Sequence, residues 1–348
     1  MLIQENVRLA PLTTFQVGGP ARYFVEATTT EEIQQAVQLA HSRNLPLFIL
    51  GGGSNLVVSD NGWPGLALKV AVHGVEESTE DGRAVFEVGA GEDWDPLVAR
   101  AVSSDCSGIE CLSGIPGSVG GTPIQNVGAY GQEVAETITA VLALDLNDGQ
   151  FHKLCAEACG FSYRASIFNT TARGRYIIAR VTYVLTVGGE PTLKYADLKK
   201  YFAGQERGPS LVQVREAVRQ IRAGKGMLIT PGDEDCRSAG SFFKNPVLSA
   251  EQYADLVERA TSRQLEVPSY LGPDAQRKIP AAWLVEHAGF SKGYRNGPVG
   301  ISRKHALAIV NRGGARAADI VSFQEQIQRR VADTWGIRLE PEPVFVGF

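Results

Sequence analysis

Leu47-Phe48-Ile49-Leu50-Gly51-Gly52-Gly53-Ser54-Asn55 is the stretch on which the fold turns. Four large apolar residues closed by three glycines read as a short buried strand running into a loop. Upstream, Tyr23–Ala27 (YFVEA) reads as a second strand. Between them, Glu31–Arg43 repeats apolar residues at Ile33, Ala36, Val37 and Ala40, the spacing of one helix face. Thr30 is the expected N-cap. Strand, helix, strand is a βαβ unit, hence a small mixed or parallel layer. Glycines placed directly after such a strand let backbone N–H groups approach an anion, and Ser54 and Asn55 can add donors. A tight turn that binds nothing reads the same way. No G-x-G-x-x-G and no G-x-x-x-x-G-K-[ST] occurs, so neither a Rossmann fingerprint nor a P-loop is present.

Downstream the pattern changes to short strands and turns. LALKV (66–70) and AVFEVGA (84–90) read as strands, with Asp81-Gly82 turning before the second. Asp95–Ser104 reads as a helix, and strands are expected over 138–146 and 176–187, the first ending at Asn147-Asp148-Gly149. Gly188-Gly189-Glu190-Pro191 is a break. A helix over 211–222 precedes a loop rich in glycine and acid, 224–240. Helices at 249–262, 280–288 and 315–335, a strand at Leu307–Val310 and a strand-like end, LEPEPVFVGF, complete an α+β layout. The boundaries fall near 70 and 225, giving stretches 1–70, 71–224 and 225–348.

A chain of 348 residues, 44% hydrophobic and 21% charged, has the composition of a soluble globular protein of two or three domains. A formal charge of -4 gives no bulk attraction to nucleic acid or anionic membrane. No apolar run is long enough to span a bilayer, and MLIQENVRLAPL lacks the pattern of a signal peptide. Five cysteines without C-x-x-C, and five histidines without ligand spacing, point to reduced thiols and no metal.

Four further segments can carry chemistry. Ser113-Gly114-Ile115-Pro116-Gly117-Ser118-Val119-Gly120-Gly121 spaces glycines every three residues, which a helix interior tolerates poorly. Two glycine-rich loops in one chain suggest a long ligand bearing a diphosphate. Tyr163-Arg164-Ala165-Ser166 offers a fixed cation able to grip a carboxylate through two parallel hydrogen bonds, although a structural ion pair is the commoner fate of arginine. Gly240-Ser241-Phe242-Phe243-Lys244-Asn245-Pro246, read as a strand, puts Ser241, Phe243 and Asn245 on one face. Glu340 and Glu342, two apart, would likewise share a face. No G-x-S-x-G elbow is present and no histidine lies near Ser241 in sequence, so a serine hydrolase is not indicated.

Seven motifs follow one another in order: TTFQVGGPA (13–21), GGGSN (51–55), SGIPGSVGGTPIQNVGAYGQE (113–133), YRxS (163–166), SAGSFFKNP (238–246), HALAIVN (305–311) and GIRLEPE (336–342). On these the chain resembles the UDP-N-acetylenolpyruvoylglucosamine reductases, flavoenzymes of peptidoglycan precursor synthesis, in their longer subtype. The resemblance implies two N-terminal FAD-binding domains of the vanillyl-alcohol-oxidase type, 1–70 and 71–224. A C-terminal α+β substrate domain, 225–348, would follow, its final strand 338–348 returning to the active site.

By motif match, Gly51, Gly52, Gly53, Ser54 and Asn55, with Ser113 to Ser118, Gly120 and Gly121, would hold FAD tightly and without a covalent bond. NADPH would be the hydride donor. Ser241 would be the proton donor, with Arg164 and Glu342 as partners of the substrate carboxylate and enolate; a protonated Glu342 could donate a hydrogen bond there. Tyr163, Tyr195, Lys225, Asn245 and His305 would contact a nucleotide-sugar substrate. The segment between Lys225 and Ser241 is longer than in familiar members, and His305 and Val344 replace a glutamine and an arginine. A cytoplasmic monomer with a small-molecule substrate and no nucleic-acid or membrane partner is expected. The alternatives are an FAD-linked oxidase of small alcohols and a non-catalytic nucleotide-sugar sensor.

Overall fold

A computed structural model describes residues 1–205, 207–272 and 276–348. The chain divides into two compact units. The first holds residues 1–7, 21–53 and 63–228; the second holds 8–20, 54–62 and 229–348.

The first unit carries two sheets on one shared core. In the first sheet, of order Ile3–Arg8, Pro20–Ala27, Trp63–Val70, Leu47–Leu50, the last three strands run parallel. Helix α1 (Thr30–Ser42) crosses between Pro20–Ala27 and Leu47–Leu50. Those two strands are not neighbours, because Trp63–Val70 inserts between them. The cap of α1 is Thr29 rather than Thr30: its side chain accepts from the Glu32 N–H, and Glu32 reaches back to the Thr28 N–H at 2.8 Å.

The second sheet is antiparallel, in the order Gln150–Cys155, Ile138–Asp145, Tyr176–Val187, Arg83–Gly89, Val75–Glu80. Its hairpins turn at Asp81-Gly82, both residues with positive φ (49° and 73°), and at Asn147–Gly149, as the turn residues lead one to expect. Helix α2 (Trp94–Ser103) lies against this sheet, with Trp94 buried and its indole N–H bonded to the Leu112 carbonyl. The core joins Val25, Leu66 and Leu68 to Phe86, Val181 and Tyr183. Residues on both sides of position 70 therefore pack into one interior. Two more helices follow, α3 (Ala196–Tyr201) and α4 (Leu211–Gly224), the latter opened by a Ser210/Gln213 capping box.

The second unit is built on helices α5 (Ala250–Thr261), α6 (Ala281–Glu286) and α7 (Ala317–Trp335). Buried Ile320, Phe323, Ile327, Val331 and Trp335 form the inner stripe of α7, and Gly336 ends it in the left-handed region. Its first N–H groups are capped from afar: both Asp60 carboxylate oxygens accept, from Ala317 and Ala318. Phe15, Val17 and Val57 complete a core otherwise drawn from beyond residue 240. Val344–Val346 pairs in parallel with Leu56–Val58.

The expected strand at Ser241–Pro246 is absent. Only Phe243 forms a bridge, to Pro341, and Phe242 and Phe243 are both buried with ring centroids 5.3 Å apart. A two-faced strand would send adjacent rings to opposite sides; burial of both breaks the alternation.

Candidate active site

The two glycine loops meet in the first unit. The Gly52 N–H donates to the Ser118 hydroxyl at 3.1 Å. A Cβ on Gly52 would lie 2.6 Å from the Gly117 Cα, and one on Gly120 would lie 2.7 Å from the Ala90 Cβ. Only glycine permits these approaches. Within the second loop, the N–H groups of Gly114, Val119, Gly120 and Gly121 are spent on protein acceptors. At the crossing, Gly53 and Gly117 have positive φ of 66° and 118°. A Cβ on Gly121 would meet nothing within 4 Å among the described residues, so that side of the loop is open to a ligand. This cradle fits the pyrophosphate of a dinucleotide such as FAD.

Asp95, in the first turn of α2, holds the second loop in place. Its carboxylate accepts from the Gly114 N–H and from Arg215, each at 2.6 Å, and from Arg219. Burial works to raise its pKa, but the bonds from Arg215 and Gly114 and the two guanidinium charges outweigh that and hold it below the usual carboxylate range. Buried Arg222 binds the Gly114 carbonyl at 3.1 Å. These residues carry no motif of their own; an acid in a helix's first turn was the only sequence signal.

Arg164 sits at the tip of a tight loop in which Ser162 and Ala165 exchange backbone hydrogen bonds. Its φ is 54°, rare for a side chain of this size and a mark of a constrained position. The guanidinium lies 5.8 Å from the Tyr163 ring centroid. Ser166 of the same motif is structural: it caps the turn Ile167–Asn169 and donates to the Ile124 carbonyl at 2.7 Å.

Elsewhere in the unit, the rings of Tyr195 and Tyr130 meet edge-on at 5.3 Å. The Lys225 ammonium lies 5.8 Å from the Tyr130 ring centroid and 2.6 Å from Asp197. Burial would lower the Lys225 pKa, yet Asp197 wins and holds it above its ordinary value. The Tyr130 phenol is pushed up by burial.

The second unit brings Ser241, Glu342 and Asn55 onto adjoining backbone. The Glu342 N–H donates to the Phe242 carbonyl at 2.8 Å, and the Lys244 N–H to the Glu340 carbonyl at 3.0 Å. The Asn55 amide donates to the Glu342 carbonyl at 3.2 Å. Phe242 is tied in turn to the Leu307 carbonyl, two residues past His305. The Thr14 hydroxyl lies 2.6 Å from the Ser238 carbonyl and 3.2 Å from that of Ser54. Glu340 does not share the setting of Glu342: its side chain is 76% exposed and faces Lys244. The Asn245 side-chain oxygen accepts the first N–H of α6 at 2.8 Å. Two of the three acids of 229–240 turn inward, fully buried Asp235 to Arg303 at 3.2 Å and Asp233 to Lys304 at 2.5 Å, while Glu234 is exposed.

Asp145, Asp148 and His152 bring possible ligand atoms within 4.8 Å of one another, a grouping the histidine spacing did not suggest. Arg175 already grips Asp145 through both carboxylate oxygens. All five cysteines are free thiols.

Comparison with known proteins divides the chain by sequence rather than by compact unit. Residues 231–346 match the family model described as UDP-N-acetylenolpyruvoylglucosamine reductase, C-terminal domain, and residues 21–154 match an FAD binding domain. UDP-N-acetylenolpyruvoylglucosamine reductase of Thermobifida fusca is 44% identical over 350 residues, 99% of this chain and 98% of that one. The Streptomyces coelicolor reductase is 45% identical over 354 residues, 99% of this chain and 91% of that one. A crystal structure of the reductase from Thermus caldophilus superposes with a TM-score of 0.66 at 29% identity, covering 99% of this chain and 100% of that one.

Proposed function

The chain belongs to the UDP-N-acetylenolpyruvoylglucosamine reductases, and from that premise we infer that it reduces UDP-N-acetylglucosamine enolpyruvate to UDP-N-acetylmuramate. It is an NADPH-dependent, FAD-containing oxidoreductase of peptidoglycan precursor synthesis. The observation that carries the reading is the hydrogen-bonded seating of the Ser241 segment against Glu342.

The crossed loops at 51–55 and 113–121 are the residues to hold the FAD pyrophosphate. FAD held there would supply hydride chemistry, with NADPH as the donor. The chain's own task is then to manage charge and one proton. Negative charge grows at C2 of the enolpyruvyl ether and spreads into the substrate carboxylate, where the Arg164 guanidinium stabilises it as a fixed bidentate donor. Glu342, holding a proton on its carboxyl, donates to the same developing enolate. Ser241 passes the proton from Oγ to C2. The Asn245 amide, Tyr163, Tyr195, Lys225 and His305 position the sugar nucleotide. Lys225 serves its diphosphate only by giving up or sharing Asp197.

The test follows flavin absorbance in the FAD-loaded protein by stopped flow. Anaerobic NADPH should bleach it, and enolpyruvyl substrate should restore the yellow colour within the turnover time. Bleaching without recovery overturns the substrate, and a protein unable to take up FAD overturns the class. We also propose a monomer acting in the cytoplasm. Among the described residues no helix is long and apolar enough to cross a membrane. Size-exclusion chromatography with light scattering checks the monomer, and cell fractionation checks the compartment.

A further inference from the structure

We propose that Asn55 is a positioning residue for Glu342, acting through its side-chain amide while its backbone remains part of the cofactor loop. The proposal rests on the role given to Glu342 above.

Glu342 lies between Pro341 and Pro343. Proline has no N–H and fixes its own φ, so a regular ladder cannot run through this segment. Of the three peptides, only that of Glu342 can donate. It does so, to the Phe242 carbonyl at 2.8 Å. That bond ties the glutamate to the residue after Ser241.

The carbonyl side has a different anchor. In a strand, a neighbouring backbone N–H would bind it. Here the Asn55 amide does so, at 3.2 Å. Two residues on, the Val344 N–H returns to the Asn55 carbonyl at 2.9 Å and opens the parallel pairing with Leu56–Val58. Asn55 thus grips the segment on both sides of Pro343, once by side chain and once by backbone. Its own approach is steadied by Thr14, whose hydroxyl lies against the carbonyls of Ser54 and Ser238.

The consequence is geometric. Two hydrogen bonds fix the Glu342 peptide, and one of them is a side chain that substitution can remove. Deleting the amide removes the bond to the Glu342 carbonyl and lets the carboxyl shift relative to the Ser241 segment. A displacement of about 1 Å at a reacting centre costs up to roughly 100-fold in rate.

Asn55→Ala and the isosteric Asn55→Asp each remove the donor, and Asn55→Asp retains the packing if the smaller residue fails to fold. Both are prepared as FAD-loaded enzyme, alone and combined with Glu342→Gln. Three quantities are read: FAD affinity of the stripped protein by fluorescence quenching, flavin reduction by NADPH, and reoxidation by substrate. We expect reoxidation to slow by about 10- to 100-fold, FAD affinity and flavin reduction to move by less than about threefold, and the Asn55 effect to vanish in Glu342→Gln. An equal slowing in the Glu342→Gln background overturns the anchor. So does FAD affinity falling in step with the rate, which would return Asn55 to the cofactor. A Glu342→Gln enzyme that reoxidises at the unmodified rate instead overturns the role of Glu342, and with it the purpose of the anchor.

Discussion

A serine hydroxyl is a very weak acid, so a role for Ser241 must show only in the step that needs a proton. Ser241→Ala should leave flavin reduction by NADPH nearly intact and slow reoxidation by several thousand-fold, about the size of a general-acid contribution. Single-turnover absorbance traces separate the two steps, and equal loss in both would remove the assignment. At this scale the sequence was informative where a motif carried the residue. Ser241, Arg164 and Glu342 are proposed on motifs that carry a family resemblance, and that resemblance is what chooses Glu342 over Glu340. Asn55 was named too, with the cofactor loop, because a triple glycine draws every neighbour into one reading. Its bond to the Glu342 carbonyl spans 287 residues, and no local pattern encodes such a partner. Glu340 and Glu342 looked equivalent on a strand, but the prolines around Glu342 forbid a regular strand and send only Glu340 out to Lys244.

Helices and loops were legible wherever a period or a turn residue ruled them. The stripe of α7, the Ser…Gln boxes of α4 and α5 and the Asp81-Gly82 hairpin all follow from local chemistry. The seating of one element on another was not legible, and Asp95 shows why. It joins α2, α4 and the Gly114 loop through charges drawn from positions more than 100 residues apart. A carboxyl held below its ordinary pKa contributes stability that is present above the unfolded-state value and is lost as pH falls through the folded-state value. Asp95→Asn should therefore cost roughly 1 kcal/mol near pH 7, discounted because the side chain is 25% exposed, and the gap should close below about pH 4. Urea unfolding of parent and variant across that range measures it. A gap that does not depend on pH would mean that packing, not charge, holds the loop.

The glycine crossing makes a sharper demand on its element. Gly52→Ala forces a Cβ to within 2.6 Å of backbone at Gly117 and Ser118, neither of which can yield as a flexible side chain could. The loops must part. A ligand that binds only the folded chain raises its stability by about 2.7 kcal/mol at 100 times its Kd, so FAD should raise the melting temperature of the stripped parent in a concentration-dependent way. In Gly52→Ala that dependence should disappear while the apoprotein still melts cooperatively. A thermal scan against FAD concentration reads both, and a retained shift would move the pyrophosphate site elsewhere.

Over the whole molecule, chain order and spatial order differ. A boundary near 225 is what composition and loops suggest, and a family model begins at residue 231. The compact unit that holds residues 229–348 also contains 8–20 and 54–62. Those short pieces are not trimmings. Phe15, Val17 and Val57 are buried in its core, Leu56–Val58 is the only strand paired with Val344–Val346 among the described residues, and Asp60 caps α7. Full burial of three such side chains is worth about 1.5–3 kcal/mol each, comparable with the whole net stability of a small domain. A fragment of residues 229–348 should therefore fail to fold when expressed alone. Its amide NMR spectrum should be collapsed and its near-ultraviolet circular dichroism flat, despite Trp283 and Trp335. Adding 8–20 and 54–62 back on a co-expressed first segment should restore both signals. A fragment that folds unaided would show that the C-terminal helices close their own core, and that the early segments contribute only to the site at Asn55 and Glu342.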